Sequence, residues 1–190
     1  FVTFTSSGLE TPLSYLFLIL FYGRFLHGER ASARDRFWLL LFASLSVVNR
    51  MDTALLFLPA SLYVLVEGFR RDGRGTLAAA AAAATPMLLW FAFAVIYFGF
   101  LFPNTFYAKI ALDVDASILQ HMGTAYLKRS FASDPITLAA IAAGLCLSVL
   151  ETRTLLAALG ALLYVAYVHR IGGDFIGYRF LALPFVVSTL

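Results

Sequence analysis

Long apolar runs alternate with short polar stretches along this chain, and that alternation predicts helices that cross a bilayer. Residues 12–26 form the first apolar run, with Pro12 in a tolerated first-turn position, and a basic loop over 24–36 follows. The next run, 37–69, is interrupted by Asn49, Arg50, Met51 and Asp52. Residues 76–98 contain an unbroken alanine stretch from 78 to 84, which favours helix while adding little hydrophobicity. Further runs cover 136–150 and 154–168, and a last one starts near Phe180. A span needs roughly 20 apolar residues to cross about 30 Å of hydrocarbon, and flanking side chains that snorkel accommodate shorter ones. The connection over 99–135 exceeds a simple turn and reads as a binding loop. Within it Ile118, Leu119, Met122 and Tyr126 share one helical face behind a possible N-cap at Asp115, so an interfacial helix is expected there.

Charge asymmetry sets the expected threading. If 37–69 crossed once, the basic loops 24–36 and 70–74 would face opposite sides of the membrane, against the positive-inside bias. A hairpin puts both inside. Its rising arm, 37–48, would reach roughly 18 Å at the helical rise, leaving the Asn-Arg-Met-Asp tip in the membrane or just below its outer surface.

Composition narrows the class further. Apolar residues make up 61% of the 190 residues and charged ones only 13%, which fits a bilayer solvent and not a water-soluble globule. The formal charge of +3 first reports orientation, so nucleic acid is not an expected partner. Cys146, the one cysteine, lies in an apolar run and excludes an internal disulfide. His27 and His121 lack ligand-like spacing to other donors, so no metal is assigned, and no nucleotide or cofactor motif is present. His169, beside Arg170, is a candidate for acceptor contacts. The chain starts at Phe1 and ends at Leu190 inside an apolar run, and is expected to be one transmembrane domain fragment incomplete at both ends.

With this threading, four polar segments, 6–11, 49–52, 103–109 and 172–179, converge on the extracytoplasmic side. They gather Glu10, Arg50, Asp52, Asn104, Lys109, Asp174 and Arg179 into one stratum. Arg50 and Asp52 are the most informative, because charge at membrane depth is costly unless it is paired or faces a polar cavity. They read either as a salt bridge fixing the hairpin tip or as part of a substrate site. Lys109, near Asn104 and Tyr107, suits a phosphate or sugar hydroxyls, or simply snorkels. Gly172 and Gly173 permit unusual backbone angles that would aim Asp174, while Arg179 suits an anionic headgroup.

These segments carry a resemblance as well as a chemistry. In order they read Ser7-Gly8-Leu9-Glu10-Thr11, Arg50-Met51-Asp52, Pro103-Asn104-Thr105-Phe106-Tyr107-Ala108-Lys109, and Gly172-Gly173-Asp174-Phe175 followed by Arg179-Phe180. As an ordered set spanning nearly the whole chain they resemble the AftB-type arabinofuranosyltransferases of mycobacteria and their bacterial relatives, membrane glycosyltransferases of the GT-C fold. The stretch 123–131 looks like that family's loop helix. The family commonly has Arg-Pro-Asp where this chain has Arg50-Met51-Asp52, and often a Met where it has Ile176. The resemblance implies a GT-C-like bundle, in keeping with the all-α polytopic transmembrane fold, re-entrant hairpin and interfacial helix in an outside loop that the apolar pattern and charge asymmetry predict. It also implies transfer of arabinofuranose, or a similar pentose or hexose, from a polyprenyl-phosphate donor to a glycan or lipid acceptor at the outer face of the plasma membrane. The family's catalytic aspartate would lie upstream of Phe1. Arg50, Lys109 and Arg179 would then contact phosphate, and Glu10, Asp52 and Asp174 would position sugar, acceptor or those cations. The competing class is a transporter or lipid flippase, since intramembrane Arg and Asp also line translocation pathways.

Overall fold

The computed structural model describes residues 10–28, 32–101, 107, 115–173 and 179–190, and these are helical with no strand among them. The helices are α1 (Thr11–His27), α2 (Ala33–Asn49), α3 (Ala54–Arg71), α4 (Gly73–Phe98), α5 (Ala116–Ser133), α6 (Pro135–Leu147), α7 (Thr152–Arg170) and α8 (Ala182–Thr189). Short 3₁₀ turns precede α3, α7 and α8. Three helices are long and apolar enough to cross a membrane: 21 residues ending at Arg71, the 26 of α4 and the 19 of α7. The α5–α6 pair makes a fourth if it is counted as one bent span. At the helical rise these three are roughly 28–39 Å long, matching a hydrocarbon core of about 30 Å. This is a membrane protein by length and composition of its helices. Only 17% of the most apolar α4 window is buried, so most of that helix is left for lipid or neighbouring helices.

The run over 37–69 does double back. Arg36, near the start of α2, pairs with Asp72, just past the end of α3, at 3.4 Å. At the other end of the two helices Ser46 donates to Thr53 across the tip at 3.0 Å. Arg50 breaks the helix in an extended conformation, φ −160° and ψ 108°. Arm α2 carries 17 residues, about 25 Å, where twelve were expected. The extension has a local cause: Ser32 accepts the Asp35 amide at 3.1 Å and donates to the Asp35 carboxylate at 2.6 Å, so Arg34, Asp35 and Arg36 form a capped first turn.

The core is aromatic and centred on α1, α3 and α7. Phe21, Tyr22, Phe25, Phe57, Leu56 and Tyr164 are almost fully buried, and Phe21 meets Phe57 edge-on at 4.9 Å between ring centroids. Three helices converge on one carbonyl, that of Leu56. Tyr22 of α1 donates to it, and Gly160 of α7 lies so near that a Cβ there would be 2.1 Å from the oxygen.

A sharp corner separates α5 from α6, which diverge by 106°. Pro135 causes it: the residue before proline is driven out of helical geometry, and Asp134 instead caps α6 by accepting the Thr137 amide at 3.1 Å and hydroxyl at 2.6 Å. Asp115 caps α5 by accepting the Ser117 amide at 2.8 Å. The expected apolar face of α5 is divided. Tyr126 is buried against Gly173, whereas Ile118 and Met122 remain half exposed.

The bundle has two unlike ends. One gathers Arg24, Arg34, Arg36, Arg70, Arg71, Arg74 and Arg153, and there Arg153 donates to the Leu26 carbonyl at 2.9 Å, joining the start of α7 to the end of α1. The other joins the start of α1, the α2–α3 tip, the C-terminal half of α7 and the turn before α8.

Candidate functional site

At that second end a charged cluster is assembled from four separate parts of the chain. Arg50 supplies its centre. Its side chain is nine-tenths buried and grips Asp52 through two parallel bonds, Nε to Oδ1 at 2.9 Å and Nη2 to Oδ2 at 2.7 Å. The extended Arg50 backbone and the following 3₁₀ turn let two residues only two positions apart meet side by side. Thr53 locks the turn by donating to the Arg50 carbonyl at 2.6 Å.

Tyr164 closes the pair from α7. Arg50 Nη2 donates to its hydroxyl at 2.8 Å, and that hydroxyl donates to Asp52 Oδ2 at 2.9 Å. Phe180 covers the guanidinium with its ring centroid 4.8 Å from Cζ, a cation–π contact in a dry setting. Arg50 Nη1, although buried, makes no hydrogen bond among the described residues and faces Glu10 Oε1 at 3.7 Å.

Glu10 stands between two cations. Its Oε1 accepts from Arg179 Nη2, so one carboxylate oxygen links the turn before α8 to the hairpin tip. Asn49, the last residue of α2, anchors this acid's backbone by donating to the Glu10 carbonyl and to Ser14 Oγ, both at 3.0 Å.

Of the residues picked out in the sequence, the structure therefore brings Glu10, Arg50, Asp52 and Arg179 together. Asn104, Lys109 and Asp174 lie outside the described residues. The left-handed angles expected at Gly172 and Gly173 are present, at φ 81° and 72°, and end α7 with the Gly173 amide donating to the Val168 carbonyl at 2.9 Å. His169 is paired away from the cluster, with Nε2 3.0 Å from Thr124 Oγ1 on α5.

Sequence reasoning missed Tyr164 and the anchoring role of Asn49. Tyr164 sits in an apolar run where tyrosine reads as an interfacial belt residue. The available signal was that a tyrosine buried in a span needs a partner for its hydroxyl. Among the described residues no group of three or more His, Cys, Asp or Glu side chains could hold a metal ion. The arrangement sets two guanidiniums, Arg50 and Arg179, against the one carboxylate of Glu10, beside the closed Arg50–Asp52 pair. Comparison with protein-family models, curated proteins and solved structures finds no match to the chain.

Proposed function

We propose that this chain is part of a GT-C-type membrane glycosyltransferase. In this reading it moves arabinofuranose, or a related pentose or hexose, from a polyprenyl-phosphate donor to a cell-envelope glycan or lipid acceptor. The observation that carries the proposal is one cluster: two largely buried arginines meeting over a single carboxylate, at the end of the bundle opposite its arginine-rich loops. With those loops in the cytoplasm, as positive-inside bias favours, the cluster faces the outer side of a bacterial plasma membrane. The α2–α3 hairpin then carries its tip to that side, and α5 lies along the outer interface.

The chemistry suits such a cluster. As the bond from sugar to phosphate breaks, negative charge builds on the leaving phosphate, and guanidiniums preorganised in a water-poor site stabilise it strongly. Arg50 is rigid on three sides, held by Asp52, Tyr164 and Phe180, so little reorganisation accompanies that charge development. In this reading Lys109 shares the phosphate-binding role, and Asn104 and Asp174 share the recognition of sugar or acceptor, as the resemblance implies. The acceptor hydroxyl's proton goes to a carboxylate.

The test uses full-length protein in vesicles with a radiolabelled polyprenyl-phosphate sugar. Arg50→Gln, Lys109→Gln and Arg179→Gln are each expected to lower product formation at least about ten-fold, the loss of roughly one charge-assisted contact. Three fully active variants would dismiss the assignment. Label that crosses the vesicle membrane without forming a new glycosidic bond would establish the transporter instead.

A further inference from the structure

The charge count of the cluster raises a difficulty for any anionic ligand. Among the described residues, Arg50 and Arg179 contribute two positive charges to it, and Asp52 and Glu10 cancel them. A phosphate arriving at an intact cluster would meet no net attraction. One of the two acids has to give way, and the geometry separates them clearly.

Asp52 is fixed. Both of its oxygens are engaged by Arg50, Oδ2 is also held by Tyr164, and its side chain is only 13% exposed. Glu10 is the outer member, at 29% exposure against 9% for Arg50 and 17% for Arg179. Its backbone is pinned by Asn49, but its side chain makes no cap bond to α1, so a rotamer change frees the carboxylate without moving the helix. Arg50 Nη1 is buried, is ion-paired to Glu10 Oε1 at 3.7 Å and makes no hydrogen bond among the described residues, so it would gain one if an oxygen came closer.

We infer that Glu10 is a resident competitor for the phosphate position: its carboxylate holds the space between Arg50 and Arg179 and swings out when a phosphate ester enters. This rests on the anion-binding role proposed above. The Arg179 donor that Glu10 occupies and the Arg50 Nη1 that faces it become the ligand's donors, and the site's net charge rises by one as the carboxylate leaves for solvent or a sugar hydroxyl. The same competition works in reverse on the product, since a freed polyprenyl phosphate must be expelled before another donor binds.

Binding of farnesyl phosphate to the full-length protein in nanodiscs tests this, with farnesol and inorganic phosphate as separate probes. Glu10→Gln keeps the size of the side chain and removes its charge, and it is expected to bind farnesyl phosphate about ten-fold more tightly than wild type. Farnesol binding should not change. A parallel gain for inorganic phosphate would assign the effect to the phosphate group alone, and a gain confined to farnesyl phosphate would assign it to a lipid headgroup; both support the competitor. Unchanged or weaker farnesyl phosphate binding by Glu10→Gln, while Arg179→Gln also binds more weakly, overturns the competitor role and leaves the anion site standing. Wild-type binding by Arg179→Gln removes the anion site and the inference with it. Should Glu10→Gln lose its helical signature, Glu10→Asp withdraws the carboxylate by one methylene and carries the same comparison, with tighter binding in favour and unchanged or weaker binding against.

Discussion

Tyr164 donates its hydroxyl to Asp52 Oδ2 at 2.9 Å across 112 positions of sequence, and Arg50 Nη2 reaches the same hydroxyl at 2.8 Å. The three groups form a closed triangle in which every edge involves a charge. Tyr164→Phe opens two edges and keeps the ring in place. The expected cost is about 1.5–3 kcal/mol, the range for hydrogen bonds to charged partners, read as a lower thermal unfolding midpoint of the detergent-solubilised protein. A midpoint matching wild type would mean that the Arg50–Asp52 pair stands without support from α7.

Gly160 and Gly23 offer a matched pair of alanine substitutions with opposite outcomes. A Cβ on Gly160 would lie 2.1 Å from the Leu56 carbonyl oxygen, which is backbone and cannot yield without parting α3 from α7. Gly160→Ala is expected to destabilise by about 1–3 kcal/mol. Gly23, in α1, has nothing within 4 Å of its would-be Cβ, and Gly23→Ala is expected to be neutral or to stabilise by up to about 1 kcal/mol through helix propensity. Denaturation of the two variants side by side measures the difference.

Threading of the hairpin is open to cysteine labelling in a Cys146→Ser background. Arg34→Cys and Arg71→Cys lie near the ends where α2 and α3 meet, and both positions are exposed. Gln120→Cys lies on the exposed side of α5, beyond the opposite end. A membrane-impermeant maleimide applied outside intact cells is expected to label Gln120→Cys alone, and to reach the other two only after lysis. Labelling of Arg34→Cys and Arg71→Cys from different sides would separate the polar segments and remove the shared site.

Acid should loosen the starts of α5 and α6. The hydrogen bond from the Ser117 amide holds the Asp115 carboxyl below its ordinary value of 3.8, and the Thr137 hydroxyl and amide do the same for Asp134. A carboxyl whose folded pKa is depressed stabilises the fold above its unfolded pKa, and that contribution disappears as pH falls through the folded value. Amides at the starts of α5 and α6 are therefore expected to lose hydrogen-exchange protection below about pH 4, after correction for intrinsic rates. Asp115→Asn and Asp134→Asn should remove most of the pH dependence, and an unchanged acid response in both variants would assign it to other groups.

Much of this fold is legible from sequence because two physical demands are simple. A bilayer demands long apolar runs, which locate α4 and α7, and charge asymmetry demands that 37–69 return to its starting side. The stretch 49–52, with Asn49, Arg50 and Asp52, marks the turn because no continuous span tolerates it cheaply. The start of α2 is less visible: Arg34-Asp35-Arg36 has loop composition, and only the Ser32–Asp35 cap makes it helical. Within the site, Glu10, Arg50, Asp52 and Arg179 stand out because charge in an apolar chain is conspicuous. Tyr164 does not, since its part depends on the rotation of α7 relative to the hairpin tip, a tertiary quantity that no local pattern encodes.

The spacing of Arg50 and Asp52 bears on how such a protein enters its membrane. Acid and base are two residues apart and bond through both oxygens of one carboxylate, so the hairpin carries its own counterion from the moment the tip emerges from the ribosome. A nascent α2–α3 hairpin can thus carry a charge-compensated tip into the lipid, long before the tyrosine 112 positions downstream has been translated.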